Sequence, residues 1–276
     1  MKNNKKRWII ISLIFITLIL WSCDMRLKTV KYAIQSDKVE KRIRIALITD
    51  LHSCKYGDNQ EKLIKAVEEE NPDIVLLGGD IFDDHMSYDN SKITVRQLAD
   101  KYPCYYVSGN HEYWSYDINT IFGIVENCGI KILSGECDTI EIHGQKINIC
   151  GVDDPDVVDY TADGIEIGKQ LQAAEDAMEE DCFSVLLSHR PELAETYQEF
   201  DFDLVLSGHA HGGQWILPGI LNGLYAPHQG IFPKYAGGRY DFEDQTLIVS
   251  RGLARESTLA PRIFNRPELV IVDIDK

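Results

Sequence analysis

The sequence predicts an α/β fold, on two observations. Short Val/Ile/Leu runs alternate with segments of helical period, the pattern of strand–helix–strand units, and five of these runs stop abruptly at glycine, carboxylate, amide or imidazole residues. The five stretches are residues 45–52, 74–84, 105–111, 185–190 and 204–211. Buried parallel strands read as unbroken apolar runs, and open α/β sheets hold ligands beyond the carboxyl ends of such strands. The centre of the pattern is 74–84, Ile-Val-Leu-Leu-Gly-Gly-Asp-Ile-Phe-Asp-Asp, with Asp80 at its turn.

Taken in order, the chain begins with Lys2, Lys5, Lys6 and Arg7, followed by a nearly unbroken apolar stretch over 8–21 and then Ser22 and Cys23. Residues 1–23 are therefore expected to be a signal or membrane-anchor segment. As helix the apolar stretch would span only ~21 Å of a ~30 Å hydrocarbon layer, which suits a signal sequence. Trp8 and Trp21 bracket it like interfacial anchors, and Leu20-Trp21-Ser22-Cys23 resembles a lipobox with a bulky departure at Trp21. Each reading keeps the basic end inside, so the folded domain is expected at the cytoplasmic membrane, on its extracytoplasmic face. Residues 24–42 are polar and irregular and read as a spacer, and the folded domain is expected over 43–276.

Within that domain, 43–49 and 74–77 read as strands. The spacing of Leu63, Ile64 and Val67 predicts a helix over 60–70, stopped by Asn71 and Pro72. Helices are predicted over 92–101 and 118–128, the second ended by Gly129, with a strand at 105–107 between them. Short β runs at 130–133, 139–142 and 146–150 follow, with Gly144 marking a hairpin and His143 at the surface. Next come an acidic helix over 165–180, a strand at 183–187 and a helix over 191–198 with Pro191 in its first turn. After the apolar run 204–206 lies a Gly/Pro-rich aromatic segment to Tyr240, then strands at 246–249 and 269–273.

With 276 residues, 44% of them hydrophobic, the chain can bury a sizeable core. A net charge of −16 excludes a nucleic-acid groove, because the field repels a polyanion. Seven cysteines show no Cys-x-x-Cys pair and are expected to be buried free thiols rather than disulfides.

The strand-end residues Asp50, His52, Asp80, Asn110, His111, His189, His209 and His211 offer oxygen and imidazole donors and no thiolate. Such a set suits two divalent ions of manganese, iron, zinc or nickel, with Asp80 as the carboxylate they share. The order of these residues, with Gly79, Asp83, Gly109, Glu112 and Gly208, closely resembles that of the calcineurin-like metallophosphoesterases over about residues 43–276. The resemblance implies a four-layer α/β/β/α sandwich with a dimetal site at the strand carboxyl ends. It implies that Asp50, His52, Asp80 and His211 hold one ion and that Asp80, Asn110, His189 and His209 hold the other. It further implies that His111 is the general acid and that Asp83 orients its imidazole. His85 and His228 have no counterpart in it; His85 reads as a surface residue.

The segment from Gly208 to Gln214, with Leu217-Pro218-Gly219, Gln229-Gly230, 232–235, Ser250-Arg251-Gly252-Leu253 and Asn265-Arg266-Pro267-Glu268, resembles a membrane-anchored or exported bacterial phosphodiesterase branch. The expected function is therefore a phosphodiesterase using metal-activated water. Two alternatives stand beside it: a UDP-2,3-diacylglucosamine-type pyrophosphate hydrolase and a non-catalytic metal-binding scaffold of the same fold. A lipid-tethered adhesin has only the N-terminus in its favour. Apolar residues crowd the segment from Trp215 to Tyr240, including Trp215, Ile220, Tyr225, Ile231 and Phe232. They read either as inward packing or as an apolar lip for a phosphorylated lipid held through the membrane segment.

Overall fold

The computed structural model describes residues 6–8, 17, 19, 21–255 and 261–276. Two six-stranded sheets face each other. The first runs in the order β1 (Lys28–Gln35), β14 (Glu268–Asp275), β2 (Ile43–Ile48), β3 (Ile74–Gly78), β4 (Cys104–Val107), β5 (Lys131–Ile132). Its β2 to β5 are parallel, and β14 enters antiparallel to β2. The second runs β12 (Gly238–Asp241), β13 (Thr246–Val249), β9 (Leu204–Ser207), β8 (Phe183–Leu187), β7 (Gln145–Gly151), β6 (Glu136–Ile142). Strands β13, β9, β8 and β7 are parallel, with an antiparallel strand at each edge. A two-stranded hairpin, β10 (Tyr225–Ala226) with β11 (Gly230–Ile231), stands apart.

The period of two in the strands sorts their side chains into layers. In β2, Ile43, Ile45 and Leu47 join the core between the sheets, where they meet Ile147, Val185, Leu187 and Leu204. Ala46 and Ile48 of the same strand point the other way, toward α1 (Glu61–Glu70), α2 (Asp89–Ala99) and α4 (Ile118–Asn127). Those helices contribute Leu63, Val67, Val95, Leu98, Ile121 and Val125. On the far face of the second sheet, α6 (Ile167–Asp176) and α7 (Ala194–Tyr197) add Leu171, Ala174 and Tyr197. Three apolar interfaces thus make the four layers. Each fully buried Val, Leu, Ile or Phe adds about 1.5–3 kcal/mol, so both faces of each sheet must be covered. Two single turns, α3 (Asn110–Trp114) and α5 (Val157–Tyr160), lie outside these layers.

Three expectations are corrected. The stretch read as a spacer contains β1, which pairs with β14 along its whole length. Val30, Tyr32 and Ile34 turn inward while Thr29, Lys31 and Ala33 face solvent, so a one-faced edge strand had been masked by its polar half. Cys137 and Cys150 form a disulfide rather than remaining thiols. The two-residue turn at His143 and Gly144 sets the β6–β7 register, and that register places the two cysteines directly opposite each other. Finally, the expected location at the cytoplasmic membrane is not supported, because among the described residues no helix is long and apolar enough to cross a membrane. Residues 9–16, 18 and 20 of the apolar stretch lie outside the described residues. Trp21, read as an interfacial anchor, packs its ring edge-on against Phe264 of the folded domain, with centroids 5.1 Å apart.

Candidate metal centre

All five strand-end stretches meet at one edge of the two sheets. Beyond β2, the Asp50 amide donates to the Gly79 carbonyl at 3.0 Å and the His52 amide to the Asp80 carbonyl at 2.9 Å, so the loops after β2 and β3 run side by side. From the second sheet, the His209 amide donates to Asp50 Oδ1 at 2.8 Å and ties the β9 loop to the β2 loop. The His111 amide donates to Asp80 Oδ1 at 2.9 Å. Five of the seven candidate ligands, Asp50, His52, Asp80, His209 and His211, hold φ between 45° and 62°. Non-glycine residues in this left-handed region cost of order 1–3 kcal/mol each, and they persist where the surrounding structure over-determines them.

The donor atoms fall into two sets sharing one carboxylate. Asp50, His52, Asp80 and His211 each offer an atom within 4.8 Å of the others, and so do Asp80, His189 and His209. Asp50 Oδ2, His52 Nε2, Asn110 Oδ1 and His211 Nδ1 are buried without a hydrogen-bond partner, and Asp80 Oδ2 faces only imidazoles. Buried polar atoms are rarely left unpaired, so this concentration at one point fits a pair of metal ions. A backbone carbonyl and a carboxylate aim two of the imidazoles. His189 Nδ1 donates to the Gly78 carbonyl at 2.8 Å, leaving Nε2 at 3.1 Å from Asp80 Oδ2, and His52 Nδ1 lies 2.9 Å from Asp83 Oδ2, leaving Nε2 toward Asp80. Outer partners of this kind select the ligating nitrogen.

The electrostatics also call for a cation. Burial raises the Asp50 pKa. Burial would push His189 down, yet Asp80 outweighs it and raises His189 from 6.5 to about 10. Asp80 is held well below its usual range, His189 prevailing over burial. A proton on His189 thus balances Asp80 in the metal-free protein. His209 and His211 are driven down by burial and by cationic neighbours, which keeps them neutral, as ligands must be.

His111 lies at the edge of this cluster, its side chain 23% exposed. The expectation that Asp83 orients it is corrected. His111 Nδ1 is 2.6 Å from Asp84 Oδ1 and 3.9 Å from Asp83 Oδ2. Asp83 is already engaged, with Oδ2 on His52 and Oδ1 accepting the amides of His85 and Met86 at 2.9 and 3.0 Å. The neighbouring Asp84 directs its carboxylate toward the start of α3 instead. The His111 ring is flanked by His52 at 4.4 Å and Trp114 at 4.8 Å. His85 is at the surface, as expected.

Other residues of the site carried no assigned role in the sequence. Glu112 is fully buried and accepts the amides of Asp80, Ile81, Phe82 and Gly109 and the Tyr106 hydroxyl, bracing two ligand loops at once. Its place three residues after Gly109, from which its carboxylate reaches back to the Gly109 amide at the start of α3, was the available signal. Arg190 lies against Asp154, with Nη2 2.7 Å from Oδ1, and reaches Asp156 at 3.1 Å. His228, on the turn between β10 and β11, approaches His209; no local pattern announces that contact. Arg251 binds Asn222 Oδ1 at 2.6 Å, which is a structural role.

A family model described as calcineurin-like phosphoesterase matches residues 43–213. The chain is 30% identical over 99% of its length to an uncharacterized metallophosphoesterase of Campylobacter jejuni, covering 73% of that protein. It is 31% identical over 90% of its length to one of Aquifex aeolicus, covering 92% of it. It spans about half the length of two Helicobacter pylori relatives, 47% and 54%, at 32% identity. Among solved structures, a Thermus thermophilus protein matches with a TM-score of 0.50 at 14% identity, over 76% of this chain and 90% of that one, a likeness of fold.

Proposed function

The chain belongs to the calcineurin-like phosphoesterase family, and from that premise we propose that it hydrolyses a phosphodiester bearing an apolar group, with water as nucleophile and His111 as proton donor. The observation carrying this reading is the convergence of orphaned donor atoms on Asp50, His52, Asn110 and His211 around Asp80, beside the part-buried His111. Two divalent ions bound there would draw charge from the phosphoryl group and acidify water. Asp50, His52, Asp80 and His211 would hold one, and Asp80, Asn110, His189 and His209 the other.

The chain's own residues do the rest. Asp84 accepts from His111 Nδ1, which leaves Nε2 to face the leaving oxygen. The water gives up a proton to solvent as its oxygen bonds to phosphorus, the bond to the leaving oxygen breaks, and the Nε2 proton passes to that leaving oxygen. A positioned acid of this kind contributes roughly 10²–10⁴-fold. The apolar group is argued from the segment after His211, where Ile220, Ile231 and Phe232 are 85%, 68% and 66% exposed and Trp215, Leu217 and Tyr225 are also out. Each methylene buried there is worth ~0.8 kcal/mol.

A substrate panel tests the proposal: p-nitrophenyl phosphate, bis(p-nitrophenyl) phosphate, an acylated glycerophosphodiester and its deacylated headgroup, with each candidate metal. The acylated diester should have the higher kcat/KM, and Trp215→Ala or Phe232→Ala should narrow that advantage while sparing the chromogenic esters. Equal efficiency on headgroup and acylated diester defeats the apolar part of the proposal. Two bound ions with no turnover of any ester defeat the hydrolase and leave a metal-binding scaffold.

A further inference from the structure

The structure places His228 against the outer face of the second-ion ligand set. It sits on the turn Pro227–Gln229 joining β10 to β11, with its ring stacked on His209 at 5.2 Å and 27°. His228 Nδ1 is 3.0 Å from His209 Nε2 and 2.6 Å from Arg190 Nη1. Arginine has no acceptor, so Arg190 Nη1 donates to the His228 imidazole, with Nδ1 the nearer atom at 2.6 Å and Nε2 at 3.2 Å. His209 Nε2 is engaged from the same side, 3.0 Å from His228 Nδ1 and 3.4 Å from Arg190 Nη1. That leaves His209 Nδ1, 3.3 Å from His189 Nε2, as the atom turned toward the cluster.

Glu192, His209 and His228 could by spacing hold an ion of their own. The Arg190 guanidinium, 2.6 Å from His228 and 3.4 Å from His209, puts a fixed positive charge in that space and repels a cation. The cluster therefore works as support. His52 has Asp83 and His189 has the Gly78 carbonyl as outer partner, and His228 fills the corresponding place for His209. His228 holds φ at 58° in a turn closed across it by the Gln229 amide donating to the Pro227 carbonyl at 2.7 Å.

We propose that His228 is a positioning residue for His209, and that through it the β10–β11 hairpin is part of the second-ion site. The proposal rests on the dimetal reading above. It also links the exposed Tyr225 and Ile231 to the metal centre, since they pair across the two strands that the His228 turn joins.

The test is calorimetric titration of the metal-free full chain with Mn²⁺, which reads the two affinities without any turnover. His228→Gly relieves the backbone and removes the acceptor. His228→Asn puts Oδ1 near the place of Nδ1 and tolerates positive φ. In His228→Gly one of the two affinities should fall about 10–100-fold, as losing an outer partner typically does, with the other within about 2-fold by the same reasoning. His228→Asn should recover most of the loss. Should His228→Gly melt early, His228→Ser makes the same comparison. Wild-type affinities in the variant lacking the acceptor, or a His228→Asn variant as weak as His228→Gly, would overturn the proposal. A wild-type chain that binds only one ion, or none, would instead refute the dimetal reading beneath it.

Discussion

Gly208→Ala probes how tightly the first-ion site is built. A Cβ at Gly208 would lie 2.5 Å from Asp50 Oδ2 and 2.7 Å from Thr49 Cβ, where ordinary contact begins near 3.4 Å. The carboxylate would have to retreat by about 0.9 Å, the gap between those two figures. It has nowhere to go. Gly252 backs it on another side, where an added Cβ would come within 2.6 Å of Oδ2, and Oδ1 is held by the His209 amide. Gly208 has no left-handed φ, so alanine suits its backbone and contact alone decides the effect. Displacing a site group by about 1 Å can cost ~10²-fold, and overpacking costs about 1–3 kcal/mol of stability. The expected outcome is a ~100-fold weaker ion at Asp50, His52, Asp80 and His211, with a lowered urea midpoint for the metal-free protein. Gly123→Ala is the control. It lies within α4 with nothing within 4 Å of an added Cβ, so it should stabilise by about 0.5–1 kcal/mol and leave metal binding unchanged. If Gly208→Ala binds both ions as wild type does, the packing argument for Asp50 is wrong.

Further predictions separate the groups around the site. Asp84→Asn should slow hydrolysis most for esters with poor leaving groups, as should His111→Ala, while both ions stay bound; Asp83→Asn should instead weaken the ion held by His52. A reversed pattern in leaving-group plots and metal titrations would restore Asp83 as the partner of His111. In the metal-free protein, His189 has a folded pKa of about 10 against an ordinary 6.5. Its pairing with Asp80 therefore stabilises fully below 6.5 and is lost as pH rises toward 10. His209 and His211, shifted downward, weaken the fold only on the acid side of 6.5, whereas His52, which burial lowers but Asp83 and Asp80 raise on balance, adds to the loss above 6.5. Melting temperature in chelator should fall between those pH values in wild type and much less in Asp80→Asn; equal slopes would rule out the pair. Bound metal reverses the trend, because it displaces the His189 proton, so affinity should rise over the same range.

Strand and helix periods, and the residues ending five apolar runs, are local properties. From them the sequence alone determined the α/β class, and with the resemblance it also indicated the layers and the shared place of Asp80. Polar turn residues after buried parallel strands can hardly lie anywhere but the sheet's carboxyl edge. Only the tertiary structure decided the rest. β1 needed the long-range pairing with β14 to appear as a strand, since an edge strand with one exposed face carries half the apolar signal. The Cys137–Cys150 bond depended on hairpin register. Which of two adjacent aspartates meets His111 turned on where each carboxylate was already engaged, a matter of a few ångströms that residue order does not encode. His228 reaches His209 across 19 positions of chain because a hairpin folds back over the site. Such contacts arise from packing between segments distant in sequence, and no period or motif within either segment specifies them.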